Sequence, residues 1–212
     1  MAPAKVKICG ITNTEDAFAA AEAGADFLGY VFHPVSKRNV DPAVVHEITS
    51  QIRRKFPEIR HVGVFVDASF DTLSSIKRAA GLDLVQLHGA ESASLCDELA
   101  AASIPAIKVF KFSPSAPTVR WEDFHTDFYL CDTFDPAAAG GTGRAFDPAL
   151  IPAGFPLDRA FIAGGLTPAN CAEVVRALHP FALDVSSGVE ASPGRKSHEF
   201  VHQFIHAAKS AA

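Results

Sequence analysis

Apolar and polar positions along the chain follow two alternating rhythms. Short runs rich in apolar and β-branched residues recur at Lys5–Cys9, Asp26–Phe32, His61–Val66, Leu84–Leu87, Ala106–Phe110, Phe128–Asp132, Ala160–Ala163 and Phe181–Val185. They predict eight strands. Between them the apolar spacing widens to that of helices. Asp41-Pro42 reads as an N-cap followed by an N1 proline, and Val44, Val45, Ile48 and Ile52 follow at helical spacing. Thr167-Pro168 repeats the signal ahead of Cys171, Val174, Val175 and Leu178. A first helix runs from about Thr14 to a C-capping Gly24, and a last one carries Val201, Phe204, Ile205 and Ala208 on one stripe. The fifth unit is the weakest. Ser113–Pro117 is loop-like, and Thr118–Phe124 supports at most a short helix.

Repeated strand–helix units imply parallel strands, because a crossover helix returns the chain to the same edge. The run Phe27-Leu28-Gly29-Tyr30-Val31-Phe32 is apolar on both faces, as a sheet covered by helices requires. Eight units of roughly 26 residues use nearly the whole 212-residue chain and predict a single α/β domain, a (β/α)8 barrel spanning 1–212. An open, doubly wound eight-stranded sheet is the competing arrangement. No composition shift or linker marks a second domain.

Composition narrows the function classes. Hydrophobic residues make up 48% and charged residues 20%, enough to build a core. The net charge of −5 argues against non-specific binding to nucleic acid or to an anionic membrane. No apolar run is long enough to span a bilayer, and Met1 to Thr12 shows no cleavage signal, so a cytoplasmic location is expected. Cys9, Cys96, Cys131 and Cys171 are scattered, without zinc spacing, and are expected to be free thiols. The sequence leaves monomer and homodimer both open.

In this fold, chemistry collects at the C-terminal ends of the strands and in the loops that follow. The candidates there are Cys9, Arg38, Asp67, Gln86, His88, Asp132, Gly164-Gly165, Asp184 and Ser186-Ser187-Gly188. Strand seven ends in two glycines and strand eight in Ser-Ser-Gly. Adjacent small-residue loops of this kind expose backbone amides to an anion, and loops seven and eight are the frequent phosphate site of such barrels. A phosphorylated small-molecule substrate is therefore expected. Gly140-Gly141-Thr142-Gly143-Arg144 lacks the spacing of a P-loop and reads as a mobile loop over the site, placing Gly141 at the substrate. Asp67 suits capping of the following helix. Side chains alternate along a strand, so Lys5, Lys7 and Cys9 share a face. Lys7 is then placed to favour the Cys9 thiolate. Cys131 falls on the opposite face from Asp132 and is assigned to packing.

The motifs Lys7-Ile8-Cys9-Gly10-Ile11-Thr12, Gln86-Leu87-His88-Gly89, Asp132-Thr133, Gly140-Gly141-Thr142-Gly143, Gly164-Gly165-Leu166 and Asp184-Val185-Ser186-Ser187-Gly188-Val189-Glu190 occur in this order. Together they resemble the N-(5′-phosphoribosyl)anthranilate isomerases of tryptophan biosynthesis, over residues 5 to 209. The resemblance implies a (β/α)8 barrel that performs an Amadori rearrangement without cofactor or metal. It implies Cys9 as general base and Asp132 as general acid, with Arg38, in Ser36-Lys37-Arg38, gripping the anthranilate carboxylate. Gln86 and His88 then shape the pocket, and Asp184 supports the phosphate end. Two departures are small: Ala163 stands where relatives often carry Ser, and Phe134-Asp135-Pro136 varies the loop after Asp132.

The chemistry fits those residue types. One acid protonates the furanose oxygen as the ring opens, and one base removes the C2′ proton. Asp132 must hold a proton, although a free carboxyl titrates at ~3.9. Two rival readings stay open at this level. A lysine-dependent barrel enzyme such as indole-glycerol-phosphate synthase has Lys108 and Lys111 to draw on, and a metal-dependent epimerase has His33, His61 and His88. A barrel that binds a phosphorylated metabolite without turning it over is the non-enzymatic alternative.

Overall fold

The computed structural model describes residues 3–112, 120–132 and 148–211. Eight parallel strands close into a barrel in chain order: β1 (Lys5–Cys9), β2 (Phe27–Val31), β3 (Arg60–Phe65), β4 (Leu84–Leu87), β5 (Ala106–Lys111), β6 (Phe128–Asp132), β7 (Ala160–Ala163) and β8 (Ala182–Val185). The closing seam joins β1 to β8, with Lys7 opposite Asp184. The expected strands all form: four with the expected bounds, β5 and β8 differing by one residue at one end, and β2 and β3 by one residue at both ends. The open-sheet alternative is excluded by closure.

Six α-helices surround the barrel among the described residues: α1 (Thr14–Glu22), α2 (Pro42–Lys55), α3 (Phe70–Ala80), α4 (Ala93–Ala101), α5 (Cys171–Leu178) and α6 (His198–Lys209). The Asp41 carboxylate accepts from the Ala43 amide ahead of Pro42, so the predicted cap forms. The first helix ends at Glu22 with Ala23 as its C-cap, and Gly24, at φ +96°, comes next, so the expected cap lies one residue too late. Among the described residues the fifth crossover contains one short 3-10 turn, Trp121–Asp123. Two further expectations are corrected. Val44 is 41% exposed, because Val45, Ile48 and Ile52 already define the buried stripe and Val44 lies to its side. The helix predicted from Thr167-Pro168 begins at Cys171. The Asn170 side chain accepts from the Thr167 amide and donates to the Gly165 carbonyl, which holds residues 167–170 in a turn. A two-stranded hairpin, β9 (Glu190–Ser192) with β10 (Arg195–Lys196), lies between β8 and α6.

The core has two parts. One lies between the strands and the helices. The other fills the barrel itself, with Phe27, Val62, Leu84, Ile107, Leu130 and Phe161, flanked by Phe128 and Phe181. Phe27 meets Phe161 edge to face at 5.1 Å, and Phe128 stacks on Phe181 at 5.0 Å. These rings plug the N-terminal end of the barrel. Along β1, β4, β6 and β8 the next inward positions towards the C-terminal end become polar: Lys7 and Cys9, Gln86 and His88, Asp132, Asp184. All four cysteines are free and buried. No helix among the described residues is long and apolar enough to cross a membrane.

His61 sits in β3 with no exposed surface and hydrogen-bonds the Tyr30 hydroxyl at 3.0 Å. Among the described residues its Nε2 has no partner. Burial lowers its pKa from 6.5 to about 4, Asp83 pulling up and Arg53 down more weakly. The unfolded chain therefore takes up a proton near 6.5 and the folded chain only near 4. Stability is complete above pH 6.5 and falls as the pH drops towards 4, by up to about 3 kcal/mol. The expected outcome is a thermal midpoint that drops from pH 7 to pH 4.5 more steeply in the wild type than in His61→Leu. Parallel curves in thermal melts would refute this role.

Candidate active site

Alternation along the strands brings most of the sequence-predicted residues to one cleft of about 470 Å³ at the C-terminal mouth of the barrel. Its walls include Cys9, Arg38, Gln86, His88, Asp132, Gly164, Gly165, Asp184, Ser186, Ser187 and Gly188. His33 and Ser36 also line it, which the sequence did not single out for this cleft. Gly141 and the rest of the glycine-rich segment lie outside the described residues.

Cys9 ends β1 and Asp132 ends β6, so the thiol and the carboxyl approach the cleft from strands well separated around the ring. Cys9 is 8% exposed. Its neighbour Lys7 has no exposed surface and donates to Asp184 Oδ1 at 2.9 Å, with its charge close enough to act on the Cys9 thiol. Burial alone would drive the Lys7 proton off, but Asp184 and Cys9 outweigh it and hold the ammonium charged, above its ordinary range. Burial likewise dominates at Cys9 and pushes the thiol up, against the opposing pull of Lys7; Asp184 adds to the rise. The lysine is thus placed as the sequence suggested, but its charge is shared with a carboxylate, and the thiol remains above its ordinary value.

Space for this cluster comes from Gly29 in β2. A Cβ there would come within 2.9 Å of Cys9 Sγ and 3.1 Å of Lys7 Cε. The glycine lets both side chains lie across the neighbouring strand.

Gln86 and His88 share the inward face of β4 and its end, as predicted, and bond each other between Nε2 and Nδ1 at 3.2 Å. Gln86 Oε1 is buried without a partner among the described residues. His88 Nε2 lies 3.8 Å from Asp132 Oδ2. Burial lowers the His88 pKa, outweighing the opposing pull of Asp132, so the imidazole is neutral at neutral pH.

The small-residue loops form one rim. Gly164 and Gly165 take φ values of +98° and +61°, which side-chain-bearing residues rarely adopt. A Cβ on Gly188 would run into the Leu166 carbonyl oxygen, so the loops after β7 and β8 interlock through that glycine. Ser187–Val189 forms a short 3-10 turn.

Arg38 lines the cleft, but its fork already holds a carboxylate. Nε and Nη2 donate to Glu190 Oε1 and Oε2, each at 2.7 Å. Glu190 stands at the end of a motif that the sequence singled out, yet it was given no role. Asp67 does not cap α3, which Ser69 does. It adopts φ +51°, accepts from the Ala90 amide and donates its own amide to Glu91, tying the loops after β3 and β4 together. Lys108 points away from the cleft into a buried pair with Glu91 at 2.6 Å, which removes it as a strand-end catalyst. His61 lies in the strand and not at the cleft, and no metal-binding cluster of three or more His, Cys, Asp or Glu occurs among the described residues. Cys131 is buried against the helices, as assigned, and burial pushes its thiol far up.

Comparison with known proteins agrees with this geometry. The profile of the family described as N-(5'phosphoribosyl)anthranilate (PRA) isomerase matches residues 6–207. The N-(5'-phosphoribosyl)anthranilate isomerase of Geobacter sp. (strain M21) is 44% identical over 205 residues, covering 97% of this chain and 98% of the relative. The crystal structure of the phosphoribosyl anthranilate isomerase of Thermotoga maritima superposes with a TM-score of 0.81 at 38% identity, covering 98% of this chain and 99% of the other. A phosphoribosyl anthranilate isomerase solved in complex with reduced 1-(o-carboxyphenylamino)-1-deoxyribulose 5-phosphate gives a TM-score of 0.76 at 35% identity, covering 98% and 99%. With a closed eight-stranded barrel, a mouth lined by the expected strand-end residues and a family match over nearly its whole length, this chain belongs to the N-(5'-phosphoribosyl)anthranilate isomerase family.

Proposed function

We propose that the cleft carries out the Amadori rearrangement of N-(5'-phosphoribosyl)anthranilate with Asp132 as general acid and Cys9 as general base. The observation that carries the reading is that a thiol from β1 and a carboxyl from β6 line the same cleft, whose second carboxyl, Asp184 of β8, is already paired with Lys7. Asp132 donates its proton to the furanose oxygen as the C1′–O bond breaks. The nitrogen lone pair forms the C1′=N bond of a Schiff base. The Cys9 thiolate then removes the C2′ proton, the electrons move to give an enolamine, and tautomerisation yields the ketose. A neutral His88 suits this scheme, because it places no fixed positive charge beside an acid that must hold its proton. Backbone amides of Gly164, Gly165, Ser186, Ser187 and Gly188 are proposed to take the phosphate. Arg38 takes the anthranilate carboxylate, and Gln86 Oε1, a buried acceptor in the cleft wall, takes a ligand N–H or O–H. A small phosphorylated ligand is supported by the complex of the relative with its reduced product.

Cys9→Ala and Asp132→Asn should each reduce kcat by a factor of about 10² or more, while Cys131→Ala stays near wild type. Loss of substrate fluorescence measures this, and a near-normal kcat in Asp132→Asn would move the acid to Asp184. Arg38→Met should raise KM by about tenfold with kcat little changed. An unaltered KM would remove Arg38 from the carboxylate end. The Lys7 and Asp184 charges act on the thiol with opposite signs. Lys7→Met should therefore shift the pH at which iodoacetamide alkylates Cys9 upwards, and Asp184→Asn should shift it downwards, as followed by mass spectrometry. Shifts in the same direction would discount the electrostatic account.

A further inference from the structure

The fork of Arg38 is occupied on one edge by a group from the far end of the chain, and that group is itself anchored. Glu190 has only 5% of its side chain exposed. Besides the two bonds from Arg38, its Oε1 accepts from Lys196 Nζ at 3.0 Å and from the Gly194 amide at 3.4 Å. The Lys196 side chain has no exposed surface, and its ammonium also donates to the Ser186 carbonyl at 3.1 Å. Three charged groups therefore run in a line from the loop after β2, through the β9–β10 hairpin, to the loop after β8. Burial acts against both Glu190 and Lys196. At Glu190 the bonds from Arg38 and the charge of Lys196 outweigh it and keep the carboxylate ionised; at Lys196 burial prevails over Glu190 and lowers the ammonium pKa.

Buried charges of this kind are weak contributors to stability, since desolvation offsets their attraction. They do fix geometry. A guanidinium has five N–H donors in a rigid plane. With Nε and one Nη2 proton spent on Glu190, the orientation of the remaining edge is set by the carboxylate behind it. Gly10 completes the seat: a Cβ there would meet Arg38 Cδ at 2.6 Å and Ser186 Oγ at 3.0 Å, so Arg38 and the β8 loop close over one glycine.

We infer that Glu190 is a positioning residue for substrate binding: it holds Arg38 by one edge of the guanidinium, with Lys196 as its counter-charge on the Ser186 carbonyl, so that the other edge meets the substrate carboxylate. This rests on the assignment of Arg38 to that carboxylate. Glu190 touches no reacting atom, and its effect is confined to binding at one end of the ligand.

The test is a double-mutant cycle in steady-state kinetics with phosphoribosylanthranilate. Glu190→Gln should raise KM about tenfold and leave kcat within about twofold. In an Arg38→Met background the same change should add nothing to KM, because the residue it positions is gone. The inhibition constant of inorganic phosphate should stay within about twofold of wild type in Glu190→Gln, since the phosphate end is intact. Glu190→Asp, which keeps the charge on a shorter stem, should recover part of the loss and serves if Glu190→Gln folds poorly. KM losses that multiply in the double variant, or a parallel loss of phosphate inhibition, would overturn the inference. If Arg38→Met itself leaves KM unchanged, the carboxylate assignment beneath it fails instead.

Discussion

Placing an ammonium inside a barrel costs several kcal/mol unless a carboxylate shares the space. Lys7 and Asp184 meet that condition from directly paired positions on the first and last strands. Their contact crosses the seam at which the chain closes on itself, 177 residues apart. Much of the site refers back to it. The pair sets the charge around Cys9, two residues further along β1, and it leads into the loop at Ser186, just past the end of β8. A barrel closed by apolar contacts alone would reach the same topology. It would lack the balanced positive charge beneath the thiol.

Above and below this pair the interior changes character. The N-terminal end is packed with aromatic rings and aliphatic side chains, with no polar atom to satisfy. At the C-terminal end, inward positions carry groups that need partners: Gln86 with His88, His88 beside Asp132, Arg38 on Glu190. The apolar plug supplies rigidity for strand ends that would otherwise be free to splay. The polar layer then presents a cleft in which these hydrogen bonds are made in advance, while Gln86 Oε1 has no partner among the described residues. The overall charge of −5 does not describe the cleft itself, whose walls carry Arg38 and the small-residue loops after β7 and β8.

The fold was legible because its signals are local. Period-two strands, helix caps such as Asp41-Pro42 and short spacings are read within a dozen residues. Cys9, Asp132 and the two glycine loops were legible as strand-end residues for the same reason. The errors have a common physical origin. Thr167-Pro168 signalled a helix start, but Asn170, three residues on, captured the backbone first. Val44 fitted the helical spacing but stood beside the stripe. Asp67 looked like a cap and serves instead as a tie to the next loop. Arg38 was legible as a candidate residue of the cleft, whereas its engagement by Glu190, 152 residues away, leaves no local trace. Lys196, in an ordinary polar stretch, offered no signal that its ammonium would be buried.

The hydrogen side chain of Gly29 gives the site a different kind of requirement. Cys9 and Lys7 occupy volume that any larger residue on β2 would claim. The reactive cluster is thus defined by an omission on one strand as much as by the groups on its neighbour. A survey that trims side chains would pass over this position in silence, since there is nothing to trim; only the addition of a methyl group exposes it. A methyl group on the chemically blank residue would press on the thiol, the backbone beneath it and the lysine stem at once.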